Sequence, residues 1–287
     1  MSSLEQKNLR VLNRDVIKYI ATFTMVLNHI GIVFLMPGTF LRELLVDIGY
    51  FTAPVMCYFL VEGYYHTHSR ICYAGRLLLF AVLAQIPYTL VFQTTVLNML
   101  FTLFFCFLLL EVKARIQSPF FRWTGYLILI FLTGFCDWPT MAAVYTLLFA
   151  YAYGSDKKMW RAFLISWVVF AFMMFTGNML YYSPGMTVLV TAGSVLGAVP
   201  AAVVLMCFYT ESVLRVGKHF QNGFSFIYPL HLLAIWGIAM CFFYTYIGKR
   251  RKIMSEVRKH IVFHGRVQGV GFRYTAKYLA QSLGLTG

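Results

Sequence analysis

Acidic side chains are scarce in this sequence: 10 Asp and Glu stand against 24 Lys and Arg in 287 residues, and charged residues of both signs make up only 12%. A water-soluble domain carries about a quarter charged residues, so a soluble globule of this length is excluded. No cleavable leader is visible at the N-terminus, which is polar and basic and runs into a full-length apolar segment rather than a short one. Cysteine is thin as well. Cys57, Cys72, Cys106, Cys136, Cys207 and Cys241 follow no metal-binding or disulfide spacing, so no metal and no redox role is expected, and they read as small apolar residues of a bundle.

What is there is apolar: 60% of residues are hydrophobic and 18% aromatic. The runs at 17–36, 71–92, 101–110 with its flanks, 162–175, 187–209 and 224–247 approach the ~20 helical residues that cross a bilayer. The expected fold is an all-α polytopic membrane bundle. Helices are predicted near 16–36, 44–66, 71–92, 97–114, 123–136, 138–154, 161–178, 186–210 and 223–247.

The net charge of +14 invites a nucleic-acid partner, but its placement argues otherwise. Lys7, Arg10, Arg14 and Lys18 precede or enter the first helix. Arg70 and Arg76 follow the second, Lys113, Arg115 and Arg122 the fourth, Lys157, Lys158 and Arg161 the sixth, and Arg215 and Lys218 the eighth. The alternate loops hold little beyond Arg42, Glu43 and Asp137. This is the positive-inside pattern of a cytoplasmic N-terminus: the partner is a lipid bilayer and no nucleic acid is expected. Nine crossings would put Lys249, Arg250, Arg251 and Lys252 outside, against the same rule. Nine versus ten transmembrane helices therefore stays open, with a re-entrant piece within 183–209 or a miscounted 124–135 as the alternatives.

In so apolar a bundle each embedded polar group is informative, because it costs a few kcal/mol unless it faces protein or water. Asn28 and His29 fall in the middle of the first helix, with His29 roughly 18 Å along it from residue 17. Glu62 and His66 share one face at i, i+4. Asp47 precedes Pro54, which is expected to kink its helix. Gln85 precedes Pro87, and His231 follows Tyr228 and Pro229. Histidine is suited to moving protons near neutral pH, so these groups point to a buried polar cavity. Interhelical hydrogen bonding is the competing explanation for each, Asn98 and Asp137 included.

These motifs, in order, resemble the TraX family of membrane proteins over roughly residues 16–236. They are residues 20–21 through Met25–Val26–Leu27–Asn28–His29–Ile30–Gly31; Asp47–Ile48–Gly49 with Pro54; Phe59–Leu60–Val61–Glu62–Gly63–Tyr64–Tyr65–His66–Thr67; Arg76–Leu77; Ala84–Gln85–Ile86–Pro87–Tyr88; Leu97–Asn98–Met99–Leu100–Phe101–Thr102–Leu103; and Tyr228–Pro229–Leu230–His231–Leu232–Leu233. A named family member is associated with N-acetylation of pilin subunits. The family also resembles membrane acyltransferases that use a first-helix histidine. The resemblance implies a multi-pass enzyme of the bacterial cytoplasmic membrane, moving an acetyl group from acetyl-CoA onto an amine or hydroxyl of a protein, glycan or small molecule. It implies His29 as base, Asn28 as its orienter, and His231 or Glu62 lining the cavity. Arg70 and Arg76 are the expected phosphate contacts of the cofactor, with Gln85 in the substrate site. Asn28 stands where many members carry Asp, and Tyr50 where Arg is common. A non-catalytic transporter or assembly factor is the alternative from another class.

Composition changes at Met254. Residues 258–265 alternate like a strand and 274–282 read as a helix. Gly265–Arg266–Val267–Gln268–Gly269–Val270–Gly271–Phe272–Arg273 resembles the acylphosphatase signature. Its glycines allow a nest of backbone N–H groups for a phosphate, and Arg273 adds a forked cation. The resemblance covers one strand, loop and helix, without the family's catalytic asparagine. A truncated α/β fragment is expected, from a fusion or shortened gene, too small to fold alone; a tethered acylphosphatase is a third functional alternative. The expected domains are 1–15, a cytoplasmic N-terminus; 16–247, the membrane domain; 248–253, a basic linker; and 254–287, the fragment.

Overall fold

The structure is a computed structural model and describes residues 11–210 and 226–241. Contacts divide the chain into two units, Met1–Trp236 and Gly237–Gly287; of the second, only 237–241 are described, the end of a helix. The acylphosphatase-like tail, including Arg266, Val267, Gln268, Gly269, Val270, Gly271 and Arg273, lies outside the described residues, as do the linker and residues 211–225.

The described residues are mostly helical: α1 (Arg14–Phe34), α2 (Phe40–Gly49), α3 (Thr52–His66), α4 (Arg70–Phe92), α5 (Met99–Arg115), α6 (Pro119–Thr133), α7 (Met141–Ala152), α8 (Asp156–Asn178), α9 (Pro184–Val203) and α10 (Phe226–Cys241). Among the described residues, five stretches are long and apolar enough to cross a membrane: Arg14–Phe34, Phe40–His66, Arg70–Phe92, Asp156–Asn178 and Pro184–Phe208. Helices α6, α7 and α10 are apolar but shorter. Three helix starts, those of α1, α4 and α5, are capped by a side chain. Asn13 accepts from Val16 N, Ser69 from Cys72 N and Asn98 from Leu100 N.

Two expectations about breaks are settled differently. The predicted 44–66 helix is two helices. Pro54 has no N–H and crowds the carbonyl of Tyr50, so the chain tightens, with Tyr50 N bonding Asp47 O at 3.0 Å and Phe51 N bonding Ile48 O at 3.3 Å. Pro54 then sits in the first turn of α3, where proline is tolerated. Residues 183–209, suspected of hiding a re-entrant piece, instead form α9 continued by a π-helical turn, Val204–Phe208.

Helix α3 is apolar all round and is the axis of the bundle, burying Val55, Cys57, Phe59, Leu60, Val61, Glu62 and Tyr64. It packs on α1, α5, α7 and α9. Helix α4 turns Leu79, Val82 and Ile86 outward, and α8 does the same with Val168 and Phe172. Apolar faces of that extent belong against lipid. Close approach of α9 to α2 requires Gly197, because a Cβ there would run into the Asp47 carbonyl oxygen.

The two ends of the bundle differ. At one end Leu97 pairs with Cys136, and Trp138 packs on Tyr50 and Phe170. At the other, Leu12 pairs with Tyr209, Arg70 meets Glu111 at 3.6 Å, and Lys113 Nζ donates to Ala150 O at 2.7 Å. The second end gathers the basic residues and is called the basic end below.

Candidate functional site

Five residues of α1, Arg14, Lys18, Thr22, Met25 and His29, recur at spacings of 4, 4, 3 and 4, so they form one stripe along the helix. The first four line a cavity of about 350 Å³. Its mouth is at the basic end, where Arg14, Lys18 and Arg76 stand with Asp15, Tyr73 and His66. Its barrel is apolar, walled by Met56, Phe59 and Leu60 of α3, Leu77 and Phe80 of α4, and Leu100 and Leu103 of α5. Met25, Met99 and Tyr228 close the far end. Thr52 anchors α3 to α1 alongside, donating to Ala21 O at 2.8 Å and lying 3.0 Å from the Thr24 hydroxyl.

Just beyond that far end, one helical turn past Met25, is a pair of histidines. His29 Nδ1 and His231 Nε2 are 3.0 Å apart, and the rings are nearly parallel at 13°. His29 is buried and meets the edge of Phe92, with ring centroids 5.0 Å apart. Tyr228, on the cavity wall, packs its ring against His231 at 5.4 Å. The Lys18-to-His29 interval is eleven residues, about 16 Å of helix. A basic mouth, an apolar barrel and, one turn beyond its closed end, a buried imidazole pair therefore follow one another along α1.

A second cavity, of about 460 Å³, opens at the basic end between α3, α7, α8 and the end of α9, lined by Tyr58, Tyr153, Asp156 and Tyr209 among others. His66 lines both cavities. Its Nδ1 is 2.9 Å from Glu62 O and 3.3 Å from the Tyr153 hydroxyl. A carbonyl only accepts, so Nδ1 carries the proton.

Several expected site residues do other work. Asn28 does not orient His29. Adjacent helical residues point about 100° apart, and Asn28 Nδ2 donates instead to Val46 O in α2 at 3.0 Å. The side chain that meets His29 Nδ1 is His231. Glu62 is buried at the basic end, ten residues along α3 from Thr52, and is not among the residues that line the first cavity. There it accepts the Tyr209 hydroxyl proton and pairs with Arg14 at 3.5 Å. Arg70 is committed to Glu111 and lies over the Tyr64 ring at 4.4 Å; Arg76 is in the mouth. Gln85 is a loop staple: its Oε1 accepts from Asn98 N at 2.9 Å and Nδ2 at 3.0 Å, and its Nε2 donates to Val96 O at 3.0 Å. Tyr50 packs among Trp138 and Phe170 at the opposite end from the mouth. Arg14, Lys18 and Thr22, which the motifs did not single out, line the cavity, as does Tyr228 of the closing motif; the 4-4-3-4 stripe was the readable signal for the first three.

The family model described as "TraX protein" matches residues 13–239, and the acylphosphatase family model matches residues 259–287. The "Probable fimbrial assembly protein FimC, serogroup H1" of Dichelobacter nodosus is 30% identical over 239 residues, covering 78% of this chain and 94% of its own length. No solved structure matches. With a membrane-type helical bundle matched over most of its length, the chain belongs to the TraX family.

Proposed function

We propose that the membrane domain is an acetyltransferase that takes its acyl group from acetyl-CoA on the cytoplasmic side and passes it to an amine or hydroxyl of a surface-fibre subunit. The observation that carries this reading is the α1 stripe, which connects a mouth lined by Arg14, Lys18 and Arg76, with the carboxylate of Asp15 among them, to a buried histidine pair through an apolar barrel. An acyl donor with phosphates at one end and a thioester at the end of a long arm matches that order. Lys18 and Arg76 would hold the phosphates, with Arg14 beside them paired to Glu62, and the barrel would exclude water from the arm.

In the reaction, the acceptor nitrogen or oxygen attacks the thioester carbonyl carbon and its proton goes to His29 Nε2. The carbon–sulfur bond then breaks, and the same proton passes to the leaving sulfur, giving the acetylated acceptor and a free thiol. Met25 stands between the cavity's end and His29, so its flexible side chain has to swing aside for the thioester to arrive. The fibre-subunit acceptor is supported by the relative's name as a fimbrial assembly protein and by the family's association with pilin acetylation. That name also favours a second reading, a non-catalytic assembly factor.

Mass spectrometry of fibre subunits from cells with and without the protein separates the two. The enzyme reading expects one acetyl group on the subunits, lost with His29→Gln although the protein still inserts. Unmodified subunits, with assembly still dependent on the protein, would leave the assembly reading standing.

A further inference from the structure

The proton positions of the histidine pair follow from one unambiguous acceptor. His231 Nδ1 lies 3.0 Å from Ile227 O. A carbonyl cannot donate, so His231 carries its proton on Nδ1, and its Nε2 presents a lone pair in the neutral ring. That lone pair faces His29 Nδ1 at 3.0 Å, so His29 must donate from Nδ1. The neutral His29 ring then has no proton on Nε2.

We propose that His231 is a positioning residue whose hydrogen bond holds His29 in the tautomer with a bare Nε2, the form able to accept a proton. The chain Ile227 carbonyl, His231, His29 has the logic of a base oriented by a third group, with a neutral imidazole where a carboxylate is commoner. The substitution suits the location. An ionised carboxylate deep in a bilayer is costly, whereas a neutral ring accepts the hydrogen bond without carrying charge. The other candidate orienter, Asn28, is occupied with Val46 O, and Phe92 set edge-on to the ring limits its rotation. When Nε2 takes a proton, the imidazolium keeps its Nδ1–H on His231 Nε2. The proton then leaves from Nε2 and the pair returns to its starting state.

The tautomer stands on geometry alone; its chemical use rests on the acetyltransferase reading. The test is nitrogen NMR of the full chain, labelled with ¹⁵N-histidine, in lipid nanodiscs, where protonated and bare ring nitrogens give well-separated lines and His29→Gln identifies those of His29. The expected spectrum has His29 protonated at Nδ1 and bare at Nε2. His231→Gln, whose amide oxygen still accepts, keeps that state, and His231→Leu gives a mixture of tautomers. A His29 protonated at Nε2 in the unaltered protein overturns the assignment, as does a His29 spectrum indifferent to His231→Leu. The His231→Gln spectrum decides alone if the leucine variant does not fold. In a parallel assay of acetyl-CoA consumption, His231→Leu should lower kcat roughly a hundredfold with KM unchanged, and His231→Gln should recover most of it. The expected tautomer without any acetyl-CoA consumption would sink the acetyltransferase reading and leave the role of His231 intact.

Discussion

Neutralising one cation of the cavity mouth should weaken donor binding and leave the chemistry alone. Lys18 and Arg76 both line the mouth, and Lys18 lies about 16 Å along α1 from His29. Two unit charges 4 Å apart interact by about 1 kcal/mol in water and about 4 kcal/mol at the effective dielectric of a protein surface. Arg76 is exposed and Lys18 half-buried, so the lower part of that range applies, and ~1.4 kcal/mol corresponds to a tenfold change in affinity. Lys18→Gln and Arg76→Gln should therefore each raise KM for acetyl-CoA about tenfold, with kcat within about twofold, the signature of lost uniform binding. Added salt should shrink the difference from the unaltered protein, because the mouth is open to screening. The assay is release of free thiol by protein in nanodiscs over a range of donor concentrations. A fall in kcat at constant KM, or no change in either, would refute the placement of the phosphates at this mouth.

Other outcomes follow from the packing. Glu62→Ala leaves Arg14 and the Tyr209 hydroxyl without their carboxylate. Arg14 keeps 38% side-chain exposure, so the loss should be at the low end for a broken buried pair, ~1–2 kcal/mol, read as a lower midpoint in thermal unfolding. Gly197→Ala drives a methyl into the Asp47 carbonyl oxygen and should cost about 2 kcal/mol or more. Gly177→Ala on α8, where a Cβ meets nothing within 4 Å, should be harmless in the same experiment. In a cysteine-free background, Thr39→Cys should react with an impermeant thiol reagent added to intact cells and Ser155→Cys should not; the reverse would invert the orientation read from the basic loops.

The membrane character of the chain was legible because hydrocarbon imposes long apolar helices, and most helix positions were legible with it. Runs of residues cannot show where a span breaks. The α2–α3 break depends on Pro54 meeting the Tyr50 carbonyl, and the continuity of Pro184–Phe208 on how α9 packs against its neighbours. The site was legible in part. His29 and His231 stood out as ionisable groups in apolar helices, yet 202 residues separate them and only the fold brings them within hydrogen-bonding distance. The resemblance implied Asn28 as the orienter of His29; in the structure the helix turns the two side chains apart and Asn28 bonds Val46 O. Gln85 and Arg70 were plausible polar groups whose partners, Asn98 and Glu111, are local structural ones. Lys18 was seen only as a topology charge; the structure places it on the cavity wall, on the same stripe of α1 as His29.

The central claim is that His29 is the base at the closed end of a donor-binding cavity, and His29→Gln tests it most directly. Purified protein in nanodiscs should release thiol from acetyl-CoA in the presence of the acceptor subunit. The variant should lose at least about a hundredfold in rate, the contribution expected of a general base, while its affinity for acetyl-CoA stays within a few-fold. A His29→Gln protein that turns over at the unaltered rate, or an unaltered protein that neither binds nor consumes acetyl-CoA, would contradict it.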